Sequence, residues 1–421
     1  MTSRERVETA LAHREADRVP LDLGSTSVTG MHASAVYRLR QALGFERPGT
    51  PVKVTDVYQM LGEIGDDLLD AIGADVVGVR SRTTRFGFPS DGWKEWRLFD
   101  GTPVLVPGRF NTEPDENGDI LQYPEGDASL EPSGRMPKGG YYFDLIIRQH
   151  PIDEERLNSE DNVEEFRPLS EETLAGYAAD ARRHAATGRA VVLNIGGTSF
   201  GDVGQLPGPM LRDPKGIRDI EEWYVSTLTR RDYVLAVFER QCAVALANLE
   251  RAHAAVGGLV SVLQVTGTDF GAQTGAFVSP ADYRILYLPF HKAVNEWVHA
   301  HTPWRTFLHS CGSVVDLIPA FIEAGFDILN PVQTSAAGMD PRTLKRRFGD
   351  RLAFWGGGVD TQRTLPFGTP DDVRREVTER IAMFAPGGGF VFNPIHNVQA
   401  GVPVENLRAL FDTARERGAY R

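Results

Sequence analysis

Residues 305–333 read RTFLHSCGSVVDLIPAFIEAGFDILNPVQ. A short apolar run, Arg305–His309, is followed by an amphipathic stretch, Val314–Ala324, and then by a second apolar run, Asp327–Asn330. Such alternation predicts strand, helix and parallel strand. The rhythm continues in both directions and yields eight candidate strands: Val19–Leu23, Asp75–Val79, Ala190–Ile195, Leu259–Val265, Arg305–His309, Asp327–Asn330, Leu352–Trp355 and Phe390–Asn393. Further helical segments are expected at Pro280–Ala300, Asp340–Phe348 and Pro370–Phe384. The pattern predicts an α/β chain folded as one (β/α)8 TIM-like barrel domain over residues 1–421. An open doubly wound sheet is the alternative.

Two stretches break the rhythm. Residues 89–142 are rich in Gly, Pro, Trp and Asp, with turn pairs at Asp91-Gly92, Asp100-Gly101 and Asn117-Gly118. They are expected to form an antiparallel β-meander inserted into the barrel. Ile152–Ala186 is expected to be a mostly helical connection, with Pro151 and Pro168 as breaks.

Composition bounds the function. Hydrophobic residues make up 41% and charged residues 24% of the chain, enough apolar material for a large core. The formal net charge of −12 argues against a nucleic-acid or anionic-membrane partner, while a buried pocket of opposite sign is still allowed. No run approaches the roughly 18 apolar residues of a membrane span, and charges occupy the N-terminus where a signal peptide needs an apolar core. The two cysteines, Cys242 and Cys311, suit a reducing compartment. A cytoplasmic enzyme acting on a small molecule is expected, with Cys242 filling core space within the helical run Asp232–Ala252.

Barrel enzymes place their chemistry just after the strands. Here Gly24-Ser25-Thr26-Ser27 follows the first candidate strand, Gly196–Asp202 the third, and Thr266–Gly271 the fourth. The later strands run into His309-Ser310-Cys311-Gly312, Asn330-Pro331-Val332-Gln333, Gly356–Asp360 and Asn393–Asn397. Turn and N-cap chemistry accounts for much of this Gly, Ser and Asp. The His and Cys residues are harder to explain that way. His309 and Cys311, two apart on an extended chain, can face one point, and imidazole with thiolate suits zinc. A capping histidine beside a buried thiol is the plainer reading of that pair. His396, beyond the last strand, is the candidate third ligand, leaving a fourth position open. Asp269 and Asp360 are candidate catalytic carboxylates, and Asn330, Gln333, Gly197 and Asn393 candidate substrate contacts.

Several blocks resemble the uroporphyrinogen-decarboxylase superfamily. They are Thr2–Val7 with Asp17–Asp22, Leu308–Pro319, Gly325–Pro331, Gly356–Asp360 and Pro403–Leu407, and they span most of the chain outside 89–142. The decarboxylases carry an arginine-rich run after their first strand; this chain has Asp22-Leu-Gly-Ser-Thr-Ser-Val28 there. The methyltransferase branch binds zinc through His-X-Cys and a distant Cys. By resemblance these positions fall on His309, Cys311 and His396, with an imidazole replacing the second thiolate.

The resemblance therefore implies a zinc-dependent methyltransferase moving a methyl group between a corrinoid-type carrier and a thiol or related acceptor. No Asp-X-His-X-X-Gly corrinoid motif occurs in the chain. The methylcorrinoid is thus expected as a carried substrate on a separate partner protein. A homodimer is the family-level expectation. The alternative is a decarboxylase-type lyase acting on a porphyrinogen or smaller carboxylic acid, with Asp269 or Asp360 stabilising a cationic intermediate. A barrel that only binds a ligand is a third reading, disfavoured by the polar residues gathered at the strand ends.

Overall fold

The computed structural model describes residues 1–420. Seven strands form one parallel sheet: β1 Val76–Val79, β2 Ala190–Leu193, β3 Val262–Thr266, β4 Arg305–His309, β5 Ile328–Asn330, β6 Ala353–Trp355 and β7 Phe390–Val391. Each pairs with the next in chain order. A doubly wound sheet reverses its strand order at a switch point; this one does not. Every residue of β1, β2, β3, β5 and β6 is buried. Coverage on both faces is why these strands read as unbroken apolar runs.

Alternate residues point into the curl of the sheet. Val76, Ala190, Val192, Val262, Phe307, Ile328, Ala353, Trp355 and Val391 form one cluster with Val7 and Leu11. Those two belong to the helix Ser3–Leu11, started by a capping box between Thr2 and Glu5. This helix plugs the end of the curl where the strands begin, packed against β1, β2 and β7.

The expected first strand, Val19–Leu23, makes no ladder. It contributes a single parallel bridge, Leu21 to Phe392. Pro20 has no N–H to donate, which shortens the pairing. The segment nevertheless ties the two sheet edges together. The Leu21 carbonyl accepts from Asp75 N–H at 2.7 Å, and Phe392 bonds to Pro20 and Asp22 at 2.8 and 2.9 Å. Gly78 in β1 permits the next residues to pass, because a Cβ there would stand 1.8 Å from the Ser25 carbonyl oxygen. The result is a curled, TIM-like parallel sheet.

The segment 89–142 is not one meander. Lys94–Arg97 pairs antiparallel with Pro103–Val106, which in turn pairs in parallel with Val52–Asp56, a strand absent from the sequence expectations. Ile120–Gln122, Gly134–Met136 and Asp144–Leu145 form a separate antiparallel sheet. Pro107 and Pro114 lie between the two groups and interrupt any common ladder. Buried Phe110 and Phe143, 5.8 Å apart, pack the pieces together.

The helices follow their local punctuation. Pro370–Phe384 forms as expected, and Asp340 caps Pro341–Phe348. The stretch 280–300 divides into Pro280–Leu286 and Leu288–His301, because Pro289 cannot continue the preceding turn. Only Ile318–Glu323 of the stretch 314–324 is α-helical. In the connection 152–186, helix is confined to a short turn at Ser159–Asn162 and to Glu171–Ala185. Cys242 is buried in the helix Arg231–Val256. Among the described residues, no helix is long and apolar enough to cross a membrane.

Candidate metal centre and adjoining cavity

His309 is the last residue of β4, and Cys311 lies two residues on. Gly312 turns the chain at φ +84, where a Cβ would strike the Gly271 backbone at 2.3 Å. The loops after β3 and β4 are thereby locked backbone against backbone. Ser310 Oγ accepts from Phe270 N–H at 2.8 Å, and Asp269 Oδ1 accepts from Cys311 N–H at 2.7 Å. Gln333 Oε1 accepts from Gly312 N–H at 2.7 Å, with its amide nitrogen on Gln273 Oε1.

Asn330, at the end of β5, fixes the histidine. Its Nδ2 donates to the Trp355 carbonyl at 2.9 Å, so its Oδ1 must be the acceptor facing His309 Nδ1 at 2.6 Å. The proton therefore sits on Nδ1, and the Nε2 lone pair points toward Cys311 Sγ at 3.5 Å. The ring of His396, arriving after β7, stands 5.3 Å from that of His309. One ligand atom from each of His309, Cys311 and His396 lies within 4.8 Å of the other two.

Electrostatics favour a cation at this point. Burial pushes the Cys311 thiol well above its ordinary pKa, and Asp269 pushes the same way. Burial, with a smaller repulsion from His309, pushes His396 down to about 3, which keeps that ring neutral. Two nitrogen donors and one sulfur match the preferences of zinc and leave a fourth position open. Asp269 Oδ1 lies 3.8 Å from His309 Nε2, beside the convergence.

The other sequence candidates are placed differently. Asp360 spends its Oδ1 on the N–H groups of Gln362 and Arg363, closing a turn, and is not part of the His-Cys-His group. Asn393 is fully buried and clasps the Asp22 carbonyl at 2.9 Å, on the seam between β7 and the segment beside it. Gly197 lines a neighbouring cavity, and its carbonyl accepts from Gln241.

That cavity, of about 470 Å³, opens beyond the ends of β1 and β2. Its walls include Arg80, Arg85, Phe166, Tyr177, Asn194 and Met210. Arg80 directly follows β1, so the rule of looking after each strand finds it once applied there. The loop 196–206 joins cavity and metal centre. Gly196 and Gln205 face the cavity, while Asp202 feels both sides. Burial raises the Asp202 pKa, Arg85 opposes that rise, and the charges of Asp269 and His309 also reach it.

Comparison with known proteins gives the following. Residues 210–417 match the family model described as uroporphyrinogen decarboxylase (URO-D). The chain is 24% identical over 288 residues to a uroporphyrinogen decarboxylase of Trichodesmium erythraeum (strain IMS101), covering 67% of this chain and 74% of that protein. It is 29% identical over 150 residues to the uroporphyrinogen decarboxylase of Pseudoalteromonas translucida (strain TAC 125), covering 34% and 40% respectively. Among solved structures, a methyltransferase from Methanosarcina mazei aligns over 99% of both chains, with a TM-score of 0.54 and 15% identity. That likeness is one of fold.

Proposed function

Residues 210–417 match the uroporphyrinogen decarboxylase family model, and from that likeness we propose that this chain is a zinc-dependent methyltransferase of the wider superfamily. The reaction moves a methyl group from a corrinoid-type carrier, borne by a separate protein, to an acceptor thiol, whose proton is released. The observation that carries the reading is the convergence of His309, Cys311 and His396 from two strand ends far apart in sequence.

His309 Nε2, Cys311 Sγ and a ring nitrogen of His396 would hold the metal. When bound, zinc supplies a Lewis acid that lowers the pKa of an acceptor thiol. The chain's own residues do the rest. Asn330 holds His309 in the tautomer that presents Nε2. Gln333 and the locked Gly271–Gly312 contact hold the Cys311 loop in place. The Asp269 carboxylate, with Oδ1 already accepting from Cys311 N–H, has Oδ2 left to take the acceptor's proton.

Metal analysis of the purified protein and of His309→Ala, Cys311→Ala and His396→Ala tests this. We expect close to one zinc per chain in the parent and a loss in each variant. Methyl transfer from free methylcobalamin to a small thiol should fall in parallel. Unchanged metal content in all three variants would sink the proposal, and carbon dioxide release from an acid by metal-free protein would make the chain a carboxy-lyase instead.

A further inference from the structure

The cavity beyond β1 and β2 is lined by three arginines, Arg80, Arg85 and Arg167, the last of them exposed. Arg80 Nη1 donates to Thr55 Oγ1 at 2.6 Å and Nη2 to the Gly24 carbonyl at 2.8 Å. Arg85 donates to the Gly204 carbonyl and lies over the Tyr58 ring at 4.9 Å. All of these partners are neutral. Among the described residues, neither arginine has a carboxylate within ion-pair distance, although ion pairs are plentiful elsewhere in the chain.

Acids stand near these arginines without pairing directly: Asp56, Glu63 and Asp22 act on Arg80 through space, and Asp202 on Arg85. Asp56 Oδ1 accepts from the N–H groups of Tyr58 and Gln59, and Glu165 is paired with Arg218 at 2.9 Å. Arg80 is partly buried, and that burial lowers its pKa against the opposing pull of Asp56, Glu63 and Asp22. A half-buried guanidinium bonded only to neutral groups keeps its charge available to an anion. The rest of the wall mixes hydroxyl and amide side chains with an apolar and aromatic part that includes Val57, Phe166, Tyr177 and Met210, and the volume suits a small organic molecule.

We infer that this cavity binds a small organic anion, a carboxylate on an apolar body, with the carboxylate on Arg80 and Arg85 and the body against Phe166 and Tyr177. A guanidinium offers a planar fork that matches a carboxylate. As the acceptor or donor pocket of methyl transfer the assignment rests on the function proposed above; anion binding by itself does not. The loop 196–206 would then carry the ligand's far end toward Asp202 and the metal centre.

The test is calorimetric titration of the full-length protein with benzoate, with its neutral isostere benzamide and with inorganic phosphate. The same titrations are run on the Cys311→Ala protein. Benzoate should bind at least about tenfold more tightly than benzamide, the scale of one charge-assisted hydrogen-bonded pair. Arg80→Met should remove that preference and leave benzamide binding unchanged. Arg85→Met, checked for an unchanged melting temperature, gives the answer if Arg80→Met does not fold. Equal binding of benzoate and benzamide, no benzoate binding, or parent-like affinity in the folded arginine variants would overturn the inference. Phosphate binding as tightly as benzoate would overturn the apolar body. Cys311→Ala should still bind benzoate, so loss of the metal reading and loss of this one are separate results.

Discussion

His291 offers a sharp test of the electrostatics beneath the site. It lies on the helix Leu288–His301 with no exposed surface. The rings of Phe326, Phe200, Phe270 and Tyr287 surround it at centroid distances of 5.2, 5.5, 6.2 and 6.4 Å. Its Nδ1 meets Tyr283 Oη at 2.8 Å, and its Nε2 has no partner among the described residues. Burial pushes its pKa down to about 3, against about 6.5 in an unfolded chain. The depressed value fixes the sign. Stability is fully present above the unfolded pKa and is lost as pH falls toward the folded one, because only the unfolded chain takes up the proton. From pH 7 to pH 5 that linkage amounts to about 2 kcal/mol. In His291→Phe the contribution vanishes, at the cost of one hydrogen-bond partner for Tyr283. Urea unfolding of both proteins at pH 7 and pH 5 should show the variant gaining about 2 kcal/mol on the parent at the lower pH. Other titrating groups contribute equally to both and cancel. Parallel pH dependences would refute the reasoning.

Two further outcomes are expected. Asn330→Ala removes the acceptor that fixes the His309 tautomer and should weaken zinc binding roughly 10–100-fold in competition with a chromophoric chelator; Asn330→Asp keeps the acceptor and should lose less. Gly78→Ala places a methyl 1.8 Å from the Ser25 carbonyl oxygen and should destabilise the fold by about 1–3 kcal/mol in thermal melts.

Much of the fold was legible because burial on both faces writes itself into local sequence. Arg305–His309 forms with the bounds its apolar run suggests, and the helix ends follow proline and capping residues such as Thr369 and Asp340. The pairing of Val52–Asp56 with Pro103–Val106 was not legible, since it joins two short runs through a partner far away in sequence. Val19–Leu23 looked like a strand, but Pro20 limits it to one bridge. At the site, His309 and Cys311 could be found by spacing and His396 by its position after a strand. Asp360 could not be told from a turn former, because an aspartate after a strand serves either purpose. Arg80 stood directly behind an anticipated strand, yet an arginine there carries no turn signal to draw the eye.

The seam at Leu21 has a bearing on how the chain reaches its native state. Asn393 and Asp22, joined across it, are 371 residues apart in sequence. During synthesis the neighbouring strands β1 to β6 can pair in succession as they emerge, whereas the seam has to wait for β7. Until then two unpaired sheet edges and the inner apolar cluster stand open, an arrangement prone to sticking to other chains. The vulnerable interval for this chain thus lasts until β7 has been made and can meet the segment at Leu21.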